Sequence, residues 1–363
     1  MDLLTIVGAR PQFIKASSFS RAVKKHNDSN TSQVNETIIH TGQHFDENMS
    51  QIFFSELAIP KPKYNLNISN LPHGAMTGRM LEALEELFIK ENPDYILVYG
   101  DTNTTLSASL AASKLCIPII HIESGLRSYN MAMPEEINRV ITDRLSKYLF
   151  CPSQEACSNL YKEDITENVH FVGDVMFDAV LFLKNLNYSN SLKKIKVKEK
   201  EFCICTLHRQ ENTDDPKKMR NILESLKTIN EQIKVVMPIH PRTKKIISDY
   251  DQTELLKGLS VISPISYTQM LSLLDDASFL ITDSGGMQKE AMYLKKPCMT
   301  LREETEWTET IDLGVNTLCG SDPDLIINTF NSLQHRETNF NSNPYGDGDA
   351  AEKIVQILSK TLR

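Results

Sequence analysis

The segment LLTIVGARPQFIKASSFSRAVKK, residues 3–25, sets the pattern that decides the fold. Its first five residues are mostly aliphatic and β-branched, which predicts a strand at residues 3–7. Gly8 permits a tight turn, and the apolar residues after it return with helical spacing, which predicts a helix over residues 13–25. The order strand, turn, helix is the repeating unit of a parallel α/β sheet.

The same unit recurs through the first half of the chain. Further strands are predicted at residues 37–41, 95–99, 119–122 and 169–172, and further helices at residues 74–90, 104–115 and 135–145. Asn-Pro-Asp at residues 92–94 and Ile-Pro at residues 117–118 mark turns from helix to strand. This alternation is typical of a doubly wound parallel sheet.

A polar, lysine-rich stretch at residues 185–201 precedes a second series of the same kind. That series has predicted strands at residues 202–206, 235–239 and 279–282, and predicted helices at residues 217–230, 267–275, 287–294 and 325–333. A last helix, at residues 350–361, could pack on either half. We therefore predict an α/β fold of two Rossmann-like, doubly wound domains that face each other across a cleft, with residues 185–201 as their linker.

Composition narrows the classes of partner and the compartment. The chain has 363 residues, which favours two domains, and a net charge of −8, which argues against a nucleic-acid or membrane partner. Most of the seven cysteines lie in apolar runs, and no Cys or His spacing fits zinc, so we predict free thiols and no metal site. We expect a cytoplasmic protein, because the sequence has no signal-peptide pattern and no long apolar run.

Basic residues and carboxylates follow the predicted strands of the first half, where ligands of open α/β sheets bind. Arg10 and Lys15 come after the first strand, near a helix N-terminus, and could form an anion site; the alternative is an exposed basic pair. Asp101 follows the strand at residues 95–99, Glu123 follows the next strand, and Glu135 begins a helix. Two of these carboxylates have a structural alternative, since Asp101 or Thr102 could cap a helix and Glu135 could interact with a helix dipole. Glu123, beside a glycine at the end of an apolar strand, is harder to explain as structural. Together the three predict acid/base chemistry at one edge of the sheet.

The second half places His-basic pairs at two strand ends. His208 precedes an arginine after one strand, and His240 and Arg242 follow the next. A single histidine is most often structural, but two at equivalent strand ends favour contact with phosphate.

A glycine turn follows the strand at residues 279–282. Ser284, Gly285 and Gly286 connect this strand to a helix, so free backbone N–H groups can approach a phosphate without interference from a β-carbon. Glu290, one helical turn further on, could accept hydrogen bonds from ribose hydroxyls. The alternative is a capped helix with a solvent-facing Glu290.

Two motifs are absent from the sequence. No GxGxxG follows the first strand, so a nicotinamide cofactor has no predicted site. No GxxxxGK[ST] occurs, which excludes a P-loop ATPase or kinase. We therefore expect no cofactor.

The ordered motifs of the chain resemble those of the non-hydrolysing UDP-N-acetylglucosamine 2-epimerase family. They span nearly the whole sequence and read GARPQFIK, HTGQH, YGDTNTT, HIESGLRS, MPEEINR, TLHRQEN, IHPR, TDSGGMQKEA and NPYGDG. The resemblance implies a GT-B fold in which the last helix returns to the first domain. It places the acid/base residues in a domain of residues 1–172 plus 348–363, and diphosphate binding in a domain of residues 173–347.

The chemistry that this resemblance implies also follows from the substrate. The proton on carbon 2 is not adjacent to a carbonyl, so an enzyme must either oxidise a neighbouring carbon or eliminate a leaving group. Since no nicotinamide site is predicted, elimination is favoured: a base removes the proton as UDP leaves carbon 1, giving a 2-acetamidoglycal to which UDP re-adds. The resemblance implies these roles: acid/base carboxylates at Asp101, Glu123 and Glu135 with Lys15 beside them, diphosphate stabilisation by His208 and Arg10, phosphate binding by Ser284, Gly285 and Gly286, and ribose binding by Glu290. It also implies a UDP-sugar substrate, a homodimer and a role in surface polysaccharide precursor synthesis.

Three departures from the family pattern bear on the substrate. Thr-Glu-Trp-Thr-Glu at residues 305–309 stands where Thr-Glu-Arg-Pro-Glu is usual. The segment at residues 128–134 is shorter than in the enterobacterial enzymes of the family. Gln-His-Phe-Asp at residues 43–46 departs from the site of the members that their own substrate activates, which argues against such activation here. These features resemble the branch that acts on UDP-2,3-diacetamido-2,3-dideoxy-glucuronic acid, which is the alternative substrate. Its extra carboxylate would need a basic partner, for which Arg79 and Arg127 are candidates.

Two other classes of function share parts of this pattern. A GT-B glycosyltransferase would have the same diphosphate turn, but it would not need three acid/base carboxylates. A nucleotide-sugar-binding regulator would need none of them. Pro11-Gln12 departs from the hydrolysing relatives, which usually begin Gly-Thr-Arg-Ala-Asp.

Overall fold

A computed structural model of the protein describes residues 1–29, 32–43, 59–184, 198–335 and 338–360. The chain divides into two units, one of Met1–Leu181 with Pro344–Arg363 and the other of Phe182–Asn343. Most of the predicted linker, most of the motif at residues 43–46 and the end of the last predicted helix lie outside the described residues. No helix in the described ranges is long and apolar enough to cross a membrane.

The first unit contains a seven-stranded sheet in which neighbouring strands are parallel. Its strands are β1 (Asp2–Val7), β2 (Asn35–His40), β3 (Tyr64–Asn65), β4 (Tyr95–Tyr99), β5 (Ile119–Ile122), β6 (Tyr148–Cys151) and β7 (Val169–Phe171). They lie in the order β3-β2-β1-β4-β5-β6-β7. The order of the first six is that of a Rossmann fold.

The helices of this unit follow the strands along the chain, as the alternation predicted. They are α1 (Arg10–Ser29), α2 (His73–Glu91), α3 (Asn103–Lys114), α4 (Pro134–Leu145), α5 (Gln154–Lys162) and α6 (Val175–Lys184), whose last residues pass into the second unit. Met80, Leu84 and Phe88 of α2 are four residues apart and share one buried face. Ala108 and Ala111 of α3 lie in the same core cluster.

The second unit contains a six-stranded sheet with the same order of strands. The strands are β8 (Phe202–Thr206), β9 (Lys234–Pro238), β10 (Ser260–Ile262), β11 (Leu280–Thr282), β12 (Cys298–Thr300) and β13 (Asn316–Leu318), arranged β10-β9-β8-β11-β12-β13. Numbered within the unit this is again 3-2-1-4-5-6. The predicted α/β class with two Rossmann-like doubly wound sheets is confirmed.

The helices of the second unit complete the alternation. They are α7 (Gln210–Thr213), α8 (Pro216–Asn230), α9 (Pro241–Asp249), a 3-10 turn (Thr253–Leu256), α10 (Tyr267–Asp276), α11 (Gly285–Tyr293), α12 (Thr308–Asp312) and α13 (Pro323–His335). Cys203 and Cys205 of β8 are fully buried in the apolar core, and burial raises the pKa of both thiols. All seven cysteines are free thiols, as predicted.

Five strands were not predicted from the sequence, namely β3, β6, β10, β12 and β13. Each has only two to four residues, so none is long enough to show a period of its own. They are held in place by pairing with neighbouring strands, which is a tertiary effect.

The last helix, α14 (Ala350–Lys360), belongs to the first unit. Asp178 of α6 accepts hydrogen bonds from Ala350 N at 3.1 Å and Ala351 N at 2.8 Å, so it caps α14 from another helix. Burial raises the pKa of Asp178 to about 6. Helix α14 also contacts α1, where Lys25 Nζ forms an ion pair with Glu352 Oε1 at 2.6 Å.

A buried ionic network lies behind the β4 and β5 strand ends. His121 Nδ1 lies 2.7 Å from Asp143 Oδ1, and its Nε2 lies 2.8 Å from the carbonyl oxygen of Gly100. Asp143 also accepts from Arg127 Nη1 at 2.7 Å and from Gly125 N at 3.1 Å, and it is fully buried.

We expect Asp143→Asn to destabilise the first unit by about 3–5 kcal/mol, because it removes the buried negative charge beside Arg127 and turns an amide NH₂ toward one of the donors, Arg127 or His121. Burial alone would raise the pKa of Asp143, but His121 and then Arg127 outweigh it, and the pKa is lowered. Its contribution is therefore present above the unfolded pKa of about 3.9 and is lost as pH falls through the folded pKa.

Urea unfolding at pH 7, followed by circular dichroism, measures this effect. Asp28→Asn is the matched control, since Asp28 is exposed on α1 and loses the same charge. Equal unfolding midpoints for the two variants would contradict the prediction.

Candidate functional site

The order of strands reverses at one point in each sheet, between β1 and β4 and between β8 and β11. The loops that follow such a pair of strands diverge to opposite faces and leave a crevice at the carboxyl end. Lys15 and Asp101 follow β1 and β4, and His208 and Ser284 follow β8 and β11. These four predicted residues therefore follow the strands at the two reversal points.

Gln12 connects the two loops at the first reversal point. Its Oε1 accepts hydrogen bonds from Gly8 N and Ala9 N, both at 2.9 Å, and its Nε2 donates to Tyr99 O at 2.9 Å. The side chain is buried. Sequence reasoning did not assign this role, although a glutamine three residues into a helix is a known partner of the N–H that precedes the helix.

Gly8 is required by the close approach of two threonines. A β-carbon at this position would overlap the hydroxyl oxygens of Thr41 and Thr104. These two hydroxyls are 2.8 Å apart. Gln43 also contacts this group, since its Oε1 accepts from Thr104 N at 3.1 Å.

Lys15 and Glu123 form a buried ion pair at the ends of α1 and β5. Both side chains are less than one-tenth exposed. Glu123 has a φ of 69°, in the left-handed region that few non-glycine residues adopt. A β-carbon on Gly100 would lie 2.9 Å from Glu123 Oε2, so glycine is needed where β4 ends. The strand-end carboxylate is therefore held in one position, and Lys15 is not an exposed basic residue.

Asp101 is held by an arginine of α4. Arg139 Nε donates to Asp101 Oδ2 at 2.9 Å, and Asn138 Nδ2 donates to the Asp101 carbonyl at 2.8 Å. Burial raises the pKa of Asp101 and the Glu123 carboxylate adds to this, against the opposing effect of Arg139. The side chain is nevertheless 31% exposed, so a ligand can reach it. The residue that caps α3 is Thr102, not Asp101.

Glu135 is exposed in the first turn of α4, and among the described residues it contributes no hydrogen bond to this network. Its neighbour Glu136 is buried instead, where it accepts from Tyr129 N at 2.8 Å and from Arg139 Nη1 at 2.6 Å. Successive helical residues point about 100° apart, which separates the two carboxylates. Of the three predicted carboxylates, the structure connects Asp101 and Glu123 through the charges around them.

Asp283 organises the second reversal point. It is fully buried and accepts from His208 N at 2.9 Å and Arg209 N at 2.8 Å, and it pairs with His208 Nδ1 at 3.1 Å. Burial alone would raise the pKa of Asp283, but the bonds from His208 and Arg209 outweigh it, and the pKa is lowered. The ring of His208 remains 52% exposed and available to a ligand.

The glycine turn begins α11. The Ser284 side chain forms no capping hydrogen bond to α11. A β-carbon on Gly286 would have no described atom within 4 Å, so there is open space beside the first turn. Gly285, by contrast, lies directly against the Glu306 carboxylate. A helix N-terminus with free space at a glycine can bind an anion.

Three other predicted binding residues have structural partners. Glu290 is buried and accepts from Tyr267 OH at 3.0 Å, so it is not the solvent-facing residue of the alternative reading. His240 is exposed, and its Nδ1 accepts from Arg242 N at 3.2 Å as the cap of α9. Arg242 pairs with Asp214 at 3.3 Å on the surface.

Two residues singled out for substrate choice are also placed by the structure. Arg127 is buried and bonded to Asp143 and bidentately to Glu163, at 2.6 and 2.8 Å, so its candidacy as partner of a substrate carboxylate is wrong. Trp307 is buried, and Lys289 Nζ lies 3.8 Å from the centre of its ring. This is a cation–π contact where the family pattern has Arg-Pro.

The two sites differ in chemistry. The first combines a carboxyl of raised pKa, Asp101, with a carboxylate paired to an ammonium, Glu123. Such a pair can donate and accept protons at one place. The second offers a helix N-terminus and His208, which suit an anion. In the described part of the chain, no group of three or more His, Cys, Asp or Glu side chains could hold a metal ion.

Comparison with known proteins identifies the family of this chain. A family model described as UDP-N-acetylglucosamine 2-epimerase matches residues 26–359. The UDP-2,3-diacetamido-2,3-dideoxy-D-glucuronate 2-epimerase of Pseudomonas aeruginosa is 46% identical over 99% of this chain and 100% of its own. The UDP-N-acetylglucosamine 2-epimerase of Methanocaldococcus jannaschii is 42% identical over 99% of each chain.

A solved structure extends the likeness to the fold. The crystal structure of the Methanocaldococcus jannaschii UDP-GlcNAc 2-epimerase in complex with UDP-GlcNAc and UDP superposes with a TM-score of 0.89, at 42% identity, over 99% of this chain and 100% of that one. The predicted GT-B class of α/β fold is confirmed by this likeness. The chain therefore belongs to the UDP-N-acetylglucosamine 2-epimerase family, a family of isomerases.

Proposed function

We propose that this protein inverts carbon 2 of UDP-N-acetylglucosamine by eliminating UDP to form a 2-acetamidoglycal and then re-adding it. The observation that carries this proposal is the charge network of the first unit, in which Asp101 and Glu123 lie beside Lys15 and Arg139. Inversion by elimination needs one group that removes a proton from carbon 2 and another that returns a proton on the opposite face.

The environments of the two carboxyl groups suit these two roles. Asp101 has a raised pKa, which favours its protonated form and the donation of a proton. Glu123 is held as a carboxylate by its ion pair with Lys15, which suits a base. We propose Asp101 as acid and Glu123 as base in one direction of the reaction, with the roles exchanged in reverse. Glu135 stays a predicted third participant.

The leaving UDP requires positive charge where its phosphates separate from carbon 1. We propose that Ser284, Gly285 and Gly286 bind the phosphates at the N-terminus of α11, with His208 and Arg10 stabilising the developing charge. The half-exposed ring of His208, held by Asp283, supports its part in this role. Glu290 remains the proposed ribose partner, and His240 with Arg242 remain proposed phosphate contacts.

UDP-2,3-diacetamido-2,3-dideoxy-glucuronic acid is the second candidate substrate, with the same mechanism. The Pseudomonas aeruginosa relative named for it is 46% identical to this chain. The buried Trp307 in place of the family's Arg-Pro also favours this branch. Of the two arginines considered for the extra carboxylate, Arg79 alone is exposed.

We also propose a cytoplasmic homodimer that supplies precursors for surface polysaccharide, with no nucleic-acid or membrane partner. The net charge of −8 supports the absence of polyanionic partners. The homodimer rests on the family resemblance, and light scattering of the purified protein would test it.

Solvent isotope exchange tests the reaction. With UDP-N-acetylglucosamine in D₂O and no added cofactor, we expect deuterium at carbon 2 and formation of UDP-N-acetylmannosamine. One enzyme group removes the original proton, and the group that returns a proton carries deuterium from the solvent. Proton NMR of the sugar measures both. The diacetamido uronate, tested in parallel, identifies the preferred substrate by its higher kcat/KM.

The same experiment separates the proposed isomerase from a glycosyltransferase. A transferase requires an acceptor and leaves the carbon 2 proton of its donor in place. Absence of exchange with both substrates would exclude the proposed function.

We expect Asp101→Asn to lower kcat at least about 100-fold, since an amide cannot donate the proton that the reaction needs. UDP affinity, measured by calorimetry, should stay within about threefold, because the phosphates bind in the second unit under this proposal. Glu86→Gln, on the exposed face of α2, is the matched control. Normal turnover by the Asp101 variant would rule out its role.

Glu135→Gln tests the third carboxylate separately. If Glu135 contacts the sugar, as the resemblance implies, kcat should fall about 100-fold or more although the residue is exposed and forms no bond in the network. Turnover equal to that of the Glu86 control would remove Glu135 from the mechanism.

A further inference from the structure

We propose that Glu306 is a resident anion at the phosphate-binding end of α11, where it limits the affinity of this end for a diphosphate. The inference rests on the proposed function, since it assumes that the glycine turn binds the phosphates of UDP. It adds Glu306, whose negative charge repels the diphosphate, to the set of residues proposed to attract the diphosphate.

The position of Glu306 is the first support. A β-carbon on Gly285 would overlap Glu306 Oε1 and would lie 3.7 Å from Arg209 Nη2. The carboxylate therefore lies directly against the first residue of α11. A negative charge is stabilised at a helix N-terminus, so Glu306 occupies a place that also suits a phosphate.

The charge of Glu306 is the second support. Its Oε2 accepts from Arg302 Nη1 at 3.0 Å, and the Arg302 side chain is only 4% exposed. Burial alone would raise the pKa of Glu306, but Arg302 and, more weakly, Arg209 outweigh it, and the pKa is lowered. Glu306 is therefore an anion at neutral pH.

The segment that carries Glu306 is fastened to α11 on both sides of the residue. Thr305 Oγ1 donates to Gln288 Oε1 at 2.7 Å. Trp307 is buried, with Lys289 Nζ 3.8 Å from the centre of its ring. The carboxylate is thus held at the helix end by its neighbours.

A phosphate bound at the same turn would meet this carboxylate. The open space is at Gly286, one residue beyond Gly285, so a phosphate there would share the helix end with Glu306. Like charges in so small a space repel, and the repulsion weakens binding. In a reaction where UDP leaves carbon 1 and returns, a weaker hold keeps the diphosphate from being trapped at the turn.

The test is the affinity for UDP of the full chain, measured by calorimetry at low salt. Glu306→Gln removes the charge and keeps the shape, and we expect Kd for UDP to fall about tenfold. Glu304→Gln is the matched control, because Glu304 is exposed in the same loop, and its Kd should stay within about twofold of the wild type. Damage to the fold would weaken binding, so tighter binding has no structural explanation of that kind.

Glu306→Asp guards against loss of folding, because the Gln variant leaves Arg302 without its counter-charge. The Asp variant keeps the charge but draws it away from Gly285, so its Kd should also fall. Equal or weaker UDP binding by the folded variants, with normal binding by the wild type, would overturn this inference. No UDP binding by the wild type would instead overturn the proposed function.

Discussion

The reversal of strand order in each sheet is the constraint on which both candidate sites depend. Two loops diverge at that point, and their backbone N–H groups must find acceptors away from water. One buried side chain meets this need in each unit, Gln12 in the first and Asp283 in the second. Gln12 can donate as well as accept, so it also reaches the carbonyl of Tyr99. Asp283 only accepts, and its negative charge fixes the ring of His208.

A buried network of charged and polar side chains supports the strand ends that carry the first site. His121 and Asp143 join the ends of β4 and β5, and Arg127 closes the network. A carboxylate in the left-handed region, Glu123, persists only where its surroundings over-determine it. The network, the Lys15 pair and the close fit of Gly100 provide those surroundings.

The candidate sites of the two units differ in the charged groups that they carry. The first concentrates carboxylates and balances them with Lys15 and Arg139, and burial raises the pKa of Asp101. The second presents a helix end and basic side chains to an anion, with Glu306 already beside them. A reversible elimination needs both kinds of site, one for the protons and one for the diphosphate.

The sequence by itself determined the two parallel sheets and the turns where the candidate site residues lie, because strand and helix periods and glycine turns are local properties. It predicted acid/base roles for Asp101 and Glu123 and phosphate binding at the Gly285 turn, and these roles stay predictions. It could not show that Glu135 is exposed while Glu136 is buried, or that Arg127 is bonded to Asp143 and Glu163, since these depend on which way a side chain points. Only the tertiary structure decided those pairings, because contacts between residues far apart in the chain fix the direction and the charge of each group.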